Sequence, residues 1–362
     1  MLNIYIPDWT DDFDKPSTIP PLYPFLNKGK THPELVQLYG RWINEVKFVS
    51  SLKESDVVVL LYEVGYYFKR NELDLLKKMN AAAASANKIT ICWTKGDEGI
   101  TPSLQHFHLY RMGGYRSKNK GNQFLVPVFI EDPLPKYFNN QLPLHNKTNM
   151  PVVGFCGQGK AGVAKNAIDI YRNIKKRLLK LLNKYHLDLE SLLSSTFRRS
   201  QILDHLEKSS LVTTNFIRHK KYRAGLTTKE SREESSRIYF KNMAAAQYVV
   251  CYRGAGNFSV RLYETLASGK IPVIICSDNN LPFEEEIDWN KFIVVPARKW
   301  KDTAKIIFDF HSALSAEEFV ALQNHARHIY EEYISYKGFM THWVKRYHHL
   351  SAGHEKLYAV HN

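Results

Sequence analysis

The chain lacks any run of about 18 apolar residues, so its sequence offers no helix able to span a bilayer. Its first residues, MLNIYIPDW, lack a basic start, an apolar block and a small-residue cleavage site, and no signal peptide is expected. Cysteine is scarce. Cys92, Cys156, Cys251 and Cys276 show no zinc-site or disulfide spacing, and each sits in or beside a short apolar run. That predicts buried thiols in a reducing, cytoplasmic setting. No internal repeat is present. Acid is in deficit: 36 Asp and Glu stand against 50 Lys and Arg, a net charge of +14. The excess calls for an anionic partner or a structural reason. Disorder is excluded as the main state by a 44% hydrophobic and 13% aromatic content.

The length of 362 residues suits two domains at about 150 residues each. Short Val/Ile-rich runs recur at 2–7, 56–62, 88–93 and 124–129, then at 152–156, 211–217, 248–252, 271–276 and 292–296. Most are apolar at consecutive rather than alternate positions, the mark of strands buried on both faces of a parallel sheet. Helical patterns at 69–86 and 166–185 supply crossovers. Between the two series, residues 133–151 hold four prolines and four asparagines without a period. Proline fixes φ and removes a donor, so a linker is predicted there. The expected organisation is an α/β domain over 1–145, a second over 146–315, helices over 316–350 packing across the domains, and a polar tail over 351–362. In the helical part Phe319, Leu322, Ala326, Ile329, Tyr330 and Tyr333 share one face. Two such domains usually bind ligands in the cleft between them, at the carboxyl ends of the strands.

Gly157, Gly159 and Gly162 form a GxGxxG between a strand and a helix. A glycine turn there lets backbone N–H groups approach a phosphate. The acid that would hold a dinucleotide ribose is missing from 176–184, KRLLKLLNK, and Lys160 is not followed by the Ser or Thr of a P-loop. The turn either faces a phosphate or another ligand, or serves geometry alone; a dehydrogenase would lack its ribose acid. Further on, a strand runs into Arg253-Gly254-Ala255-Gly256, and a helix follows with Ser259 as its expected N-cap. Arg261 falls in the first turn, where a cation opposes the helix dipole unless an anion is bound. Glu264 lies one turn on, placed to accept from ribose hydroxyls, and Gly269 ends the helix. Together these residues suit a nucleoside diphosphate. The alternative is a surface salt bridge between Glu264 and a neighbouring arginine.

The segment CYRGAGNFSVRLYETLASGKIPVII followed by LPFEEEIDW resembles the exostosin-like glycosyltransferases, family 47. Arg253, Gly254, Ser259, Arg261, Glu264, Gly269, Pro272, Val273, Leu281, Pro282, Phe283, Asp288 and Trp289 match the family pattern in order, within 236–297. DVVVLLYEVGYYF, KGDEG at 95–99 and YRMGGYRS at 110–117 are similar to the amino-terminal domain of bacterial members. The resemblance implies an α/β GT-B fold: two facing Rossmann-like domains with parallel sheets and C-terminal helices. It implies inverting transfer of a sugar from a UDP- or GDP-sugar to a glycan or lipid-linked saccharide, in cell-surface or capsular polysaccharide synthesis. No cofactor and no catalytic metal would be required. Arg253 and Arg261 would neutralise the leaving diphosphate, Glu264 would bind the ribose, and Glu285 would line the donor site. Gly157, Gly254 and Ser259 complete the implied donor pocket. Animal and plant members carry a Golgi membrane anchor; without one, a bacterial-type cytoplasmic enzyme is expected.

Inversion requires a base for the acceptor hydroxyl. Asp97, in a glycine-flanked turn, is the first candidate, with Glu63 and Asp8 as alternatives; for each, a solvated loop acid or helix cap is the competing reading. Asp12-Phe13-Asp14 has the form of a metal-binding DxD but lies too early in the chain, in an acidic loop followed by proline. His106 and His108, like His348 and His349, lack a third ligand, and no metal site is expected.

The charge is concentrated. Residues 160–241 contain 19 Lys and Arg and 8 Asp and Glu, so 19 − 8 gives +11 of the +14. Within this stretch 170–193 reads as a basic amphipathic helix, with Ile170, Ile174, Leu178, Leu181, Leu182 and Tyr185 on one face. It either covers a sheet with its lysines outward, contacts an anionic membrane peripherally, or binds nucleic acid, for which no recognition motif is present. Residues 218–237 read as a basic, then mixed, loop. A non-catalytic basic protein on membrane or nucleic acid is the alternative function.

Overall fold

The computed structural model describes residues 1–7, 17–26, 29–221, 225 and 228–351, with side chains to residue 349. Two compact units result. One is Met1–Val126 joined by the chain from Glu332 onward; the other is Pro127–Glu331.

The first unit contains β1 (Leu2–Tyr5), α1 (His32–Tyr39), β2 (Val46–Phe48), β3 (Val57–Val59), α2 (Val64–Lys69), α3 (Leu73–Ser85), β4 (Ile89–Trp93), β5 (Phe107–Arg111) and β6 (Gln123–Leu125). Its strands pair in parallel in the order β2-β1-β3-β4-β5-β6. The second contains α4 (Pro133–Tyr137), β7 (Val152–Gln158), α5 (Val163–Leu181), α6 (Ser195–Glu207), β8 (Thr213–His219), α7 (Lys229–Ala244), β9 (Tyr248–Cys251), α8 (Val260–Ala267), β10 (Ile271–Cys276), β11 (Ile293–Pro296), α9 (Thr303–Ala313) and α10 (Ala316–Ile329). Its order is β11-β10-β9-β7-β8, again parallel throughout. A π-helical turn, Tyr330–Ile334, leads into α11 (Tyr336–Ser351). The α/β character follows from the apolar runs: β3 and β9 are buried at every position, as strands covered on both faces must be.

The structure departs from the sequence pattern in several places. The division falls after Val126 rather than near 145, because residues 140–150 are bonded into the second unit. His145 accepts from and donates through its backbone to the Gln323 side chain, at 2.8 and 2.9 Å. Lys147 donates to the Leu314 carbonyl at 2.5 Å, and Gln247 donates to the Asn146 carbonyl at 2.9 Å. The proline-rich stretch is therefore a bonded strap. Gln323 is also fully buried on α10, where the expected apolar face had Leu322. The helix expected over 69–86 is two, broken at Asn71, which takes φ 59°. Of the expected loop 218–237, residues from Lys229 onward are α7. Residues 222–224, 226–227 and the tail from 352 lie outside the described residues.

One buried cation gives the second unit a pH signature. Lys270 precedes β10, is fully buried, and donates to the Pro143 carbonyl. Burial pushes its ammonium down to about 7, whereas an unfolded lysine titrates near 10.4. Between those values the unfolded chain holds the extra proton, so stability rises with pH. The Tm is expected to climb between pH 7 and 9, by on the order of 1 kcal/mol of stability per pH unit. Lys270→Met should flatten that climb; a parallel profile in the variant would show that other groups cause it.

Candidate active site

In the second unit the strand order reverses between β7 and β9. At such a switch point the loops leaving the two strands diverge to opposite faces and open a crevice at the carboxyl ends. The loop after β7 carries Gly157–Gly162, and the loop after β9 carries Tyr252–Ser259. The structure thus brings the two glycine-bearing motifs to neighbouring strand ends.

Arg261 spans them. It is the second residue of α8, and its Nη2 donates to the Cys156 carbonyl at 2.8 Å. Its guanidinium lies 4.2 Å from the centroid of the Phe155 ring and 5.9 Å from that of Tyr239. Its Nε makes no hydrogen bond among the described residues. Gly157 sits against it with φ 144°. A Cβ there would come within 2.9 Å of Arg261 Nη2 and displace it, and the positive φ itself favours glycine. Glu264, one turn on, accepts from the Tyr239 hydroxyl. Burial, with the Glu264 charge beside it, raises the Tyr239 phenol well above its ordinary value, which keeps it a donor. Glu264 pairs with this tyrosine. Ser259 stands at the N-cap of α8 but makes no side-chain capping bond.

Arg253 leaves the end of β9 and turns inward. It is buried, and it donates to Asn257 Oδ1 at 3.2 Å, to the Ala255 carbonyl at 2.8 Å and to the Glu190 carboxylate. Asn257, fully buried, also receives the Ser277 hydroxyl at 2.7 Å and so ties this loop to the end of β10. Gly254 donates its N–H to the Phe258 carbonyl at 2.9 Å. A third arginine joins the cluster. Arg199 of α6 donates to the Gln158 carbonyl at 2.8 Å and the Arg253 carbonyl at 2.7 Å, bridging the ends of β7 and β9. Burial, then the Arg261 charge, pushes its guanidinium down to about 10. Arg218 of β8 fixes the glycine turn by donating twice to the Gly159 carbonyl, at 3.0 and 2.7 Å. Asp204 and Glu207 balance its charge.

Beside this cluster a concavity of about 460 Å³ is lined by Lys160, Ala161, Gly162, Lys165, Ser200 and Lys220. Three ammonium groups and the first N–H groups of α5 make it suited to an anion.

The sequence reading missed Glu190, Arg199, Asn257 and Tyr239. Glu190 is 63 residues from Arg253, and no local pattern joins them. Its one signal is that it is an acid within a strongly basic stretch. Glu285 is exposed in the loop after β10, and no contact between it and the arginine cluster is seen among the described residues.

In the first unit, Glu63 caps α2, accepting the Gly65 N–H at 2.7 Å from a buried position. This is the helix-cap reading of Glu63, with its carboxylate engaged at the helix end. Asp97 is exposed in the turn after β4. The turn is shaped by buried Arg111, which donates to Thr101 Oγ1 at 3.0 Å and to the Glu98 carbonyl at 3.3 Å. Asp8 and Asp12-Phe13-Asp14 lie outside the described residues. His108 is bonded to the Tyr347 hydroxyl at 2.9 Å, and burial pushes its imidazole down to about 4.

Comparison with known proteins bears on the second unit. Residues 190–308 match the model of the Exostosin GT47 domain. Over 96 residues the chain is 33% identical to the Exostosin-1 homolog of Caenorhabditis elegans, covering 26% of this chain and 24% of that protein. It is 30% identical over 96 residues to Exostosin-2 of Homo sapiens, covering 26% and 13%. The match therefore spans a quarter or less of these relatives. Among solved structures, S. aureus TarM in complex with Fondaparinux, alpha-GlcNAc-glycerol and UDP aligns with TM-score 0.34 and 12% identity, over 72% of this chain and 55% of that one. A glycosyltransferase from Rickettsia africae aligns with TM-score 0.39 and 9% identity, over 97% and 98%.

Proposed function

We propose that the chain, whose residues 190–308 match the Exostosin GT47 domain, is an exostosin-like glycosyltransferase that takes its sugar from a nucleoside diphosphate sugar. The observation that carries this reading is Arg261, a cation in the first turn of α8, anchored to the Cys156 carbonyl at the switch point. A guanidinium held there is already oriented for the charge that develops on a departing diphosphate, and it needs no rearrangement at the moment of reaction. Lys160, Lys165 and Lys220 supply further positive charge around the neighbouring concavity.

In this reading the diphosphate lies over the glycine turn, where Gly157 keeps the backbone low beside Arg261. Glu264, already oriented by Tyr239, accepts from a ribose hydroxyl. Arg253 reaches the phosphate only when Glu190 yields it. The transfer inverts configuration and draws its leaving-group stabilisation from these cations. Asp97 takes the acceptor proton: it is exposed in the turn at the carboxyl end of β4, open to substrate. The first unit holds the acceptor, a glycan or lipid-linked saccharide, and the product belongs to cell-surface polysaccharide synthesis on the cytoplasmic side.

The test is a thermal-shift panel of UDP, GDP, CMP and dTDP, followed by donor hydrolysis across the matching nucleotide sugars. One nucleoside diphosphate is expected to raise the Tm by several degrees at saturation, and its sugar to be hydrolysed slowly. No shift with any of the four would overturn the donor assignment.

A further inference from the structure

Helix α5 is turned inside out. Four of its polar residues, Asp169, Asn173, Arg177 and Lys180, bond to the segment 187–194. Asn173 donates to the carbonyls of Ser191 and Leu192 at 2.9 and 3.2 Å. Arg177 donates to the Glu190 carbonyl at 2.9 Å and Lys180 to the Leu187 carbonyl at 2.7 Å. Asp169, the only acid in the helix, accepts the Ser194 hydroxyl at 2.6 Å. No residue of α5 is buried. Much of its apolar face is in solvent: Val163 is 73% exposed, Tyr171 68%, Leu178 56% and Leu181 80%, with Ile174 between them. At about 3.6 residues per turn these five form one stripe along the whole helix.

The charge around the stripe identifies what covers it. Arg172 and Lys175 are exposed beside it, Lys184 is exposed just beyond its end, and the single acid is turned inward. The exposed side of α5 is thus apolar and basic, the one carboxylate of the helix being Asp169, 22% exposed and 3.9 Å from Arg172. A narrow apolar stripe with cationic shoulders and low overall hydrophobicity is the pattern of a helix lying in the interface of an anionic bilayer. A second copy of the chain would bring the same cations face to face.

We propose that α5 is a membrane-docking helix, its stripe inserted among the acyl chains of an anionic lipid surface and Arg172, Lys175 and Lys184 against the headgroups. This surface is independent of the sugar-transfer reading, and its test needs no turnover. The full chain is sedimented with mixed phosphatidylcholine–phosphatidylglycerol vesicles and with pure phosphatidylcholine vesicles, at low and high salt. Binding is expected to the anionic vesicles alone and to weaken with salt. Leu178→Glu with Leu181→Glu should weaken it about tenfold or more. Arg172→Glu with Lys175→Glu, which keeps the stripe, should remove the preference for phosphatidylglycerol. All four side chains are exposed, so an unchanged Tm checks folding. Failure of the wild-type chain to bind anionic vesicles overturns the proposal, as does equal binding by the leucine variant. A wild-type dimer in light scattering that the leucine variant dissolves, without vesicle binding, assigns the stripe to a second copy instead.

Discussion

Arg261→Ala is expected to lower turnover about a hundredfold or more while the chain remains folded. The side chain is only partly buried and gives up one hydrogen bond to a carbonyl and its stacking on Phe155, so the loss of stability should be small beside the loss of transition-state charge stabilisation. The loss should appear in kcat, because the charge it meets grows as the diphosphate departs. Arg261→Lys keeps the charge but not the planar group that stacks on Phe155, and should recover only part of the rate. The measurement is steady-state transfer, or donor hydrolysis, with the nucleotide sugar selected by thermal shift. Wild-type turnover in the alanine variant would remove Arg261 from the donor site.

Glu190→Gln is expected to destabilise the second unit by about 3 kcal/mol or more. Arg253 and Glu190 are both nearly buried, at 6% and 9% side-chain exposure. Removing one carboxylate charge leaves the other ion without its counter-charge in a poorly solvated place. Urea unfolding measures the cost. Replacing both members, with Arg253→Met and Glu190→Leu, should cost less than the single change, because no charge is then stranded. The single variant should also gain more stability from the cognate nucleoside diphosphate than the wild type does, since the ligand supplies the missing negative charge. A cost below about 1 kcal/mol would class the pair with ordinary surface ion pairs.

The strands that were legible in the sequence are those whose burial on both faces leaves an uninterrupted apolar run, such as β3, β9 and β10. Two were not. β2 is three residues long with Lys47 at its centre. β5 contains His108 and Arg111, whose polar atoms are bonded within the protein. A buried polar group that has found its partner looks, in sequence, like a surface group. The same physics divides the site. Gly157, Arg253, Arg261 and Glu264 stood out because a strand, a turn and a helix follow one another there in sequence. Arg199 and Glu190 arrive from elsewhere in the chain, and nothing adjacent to them announces the meeting. For α5 the helical period holds only to Leu181, where the helix ends instead of running on to 193, and period alone does not say which face points inward.

The segment between α5 and α6 has no regular secondary structure, yet α5 grips it through the carbonyl oxygens of Leu187, Glu190, Ser191 and Leu192. Every residue type carries that oxygen. Substitution at 187, 191 or 192 should therefore leave the grip intact, and relatives are free to drift there. Drift at Asn173, Arg177 or Lys180 would loosen it. Position 190 is answerable twice, once through its main chain to Arg177 and once through its carboxylate to Arg253, and Ser194 likewise through its N–H to Asn166 and its hydroxyl to Asp169, so these are where variation should be most restricted.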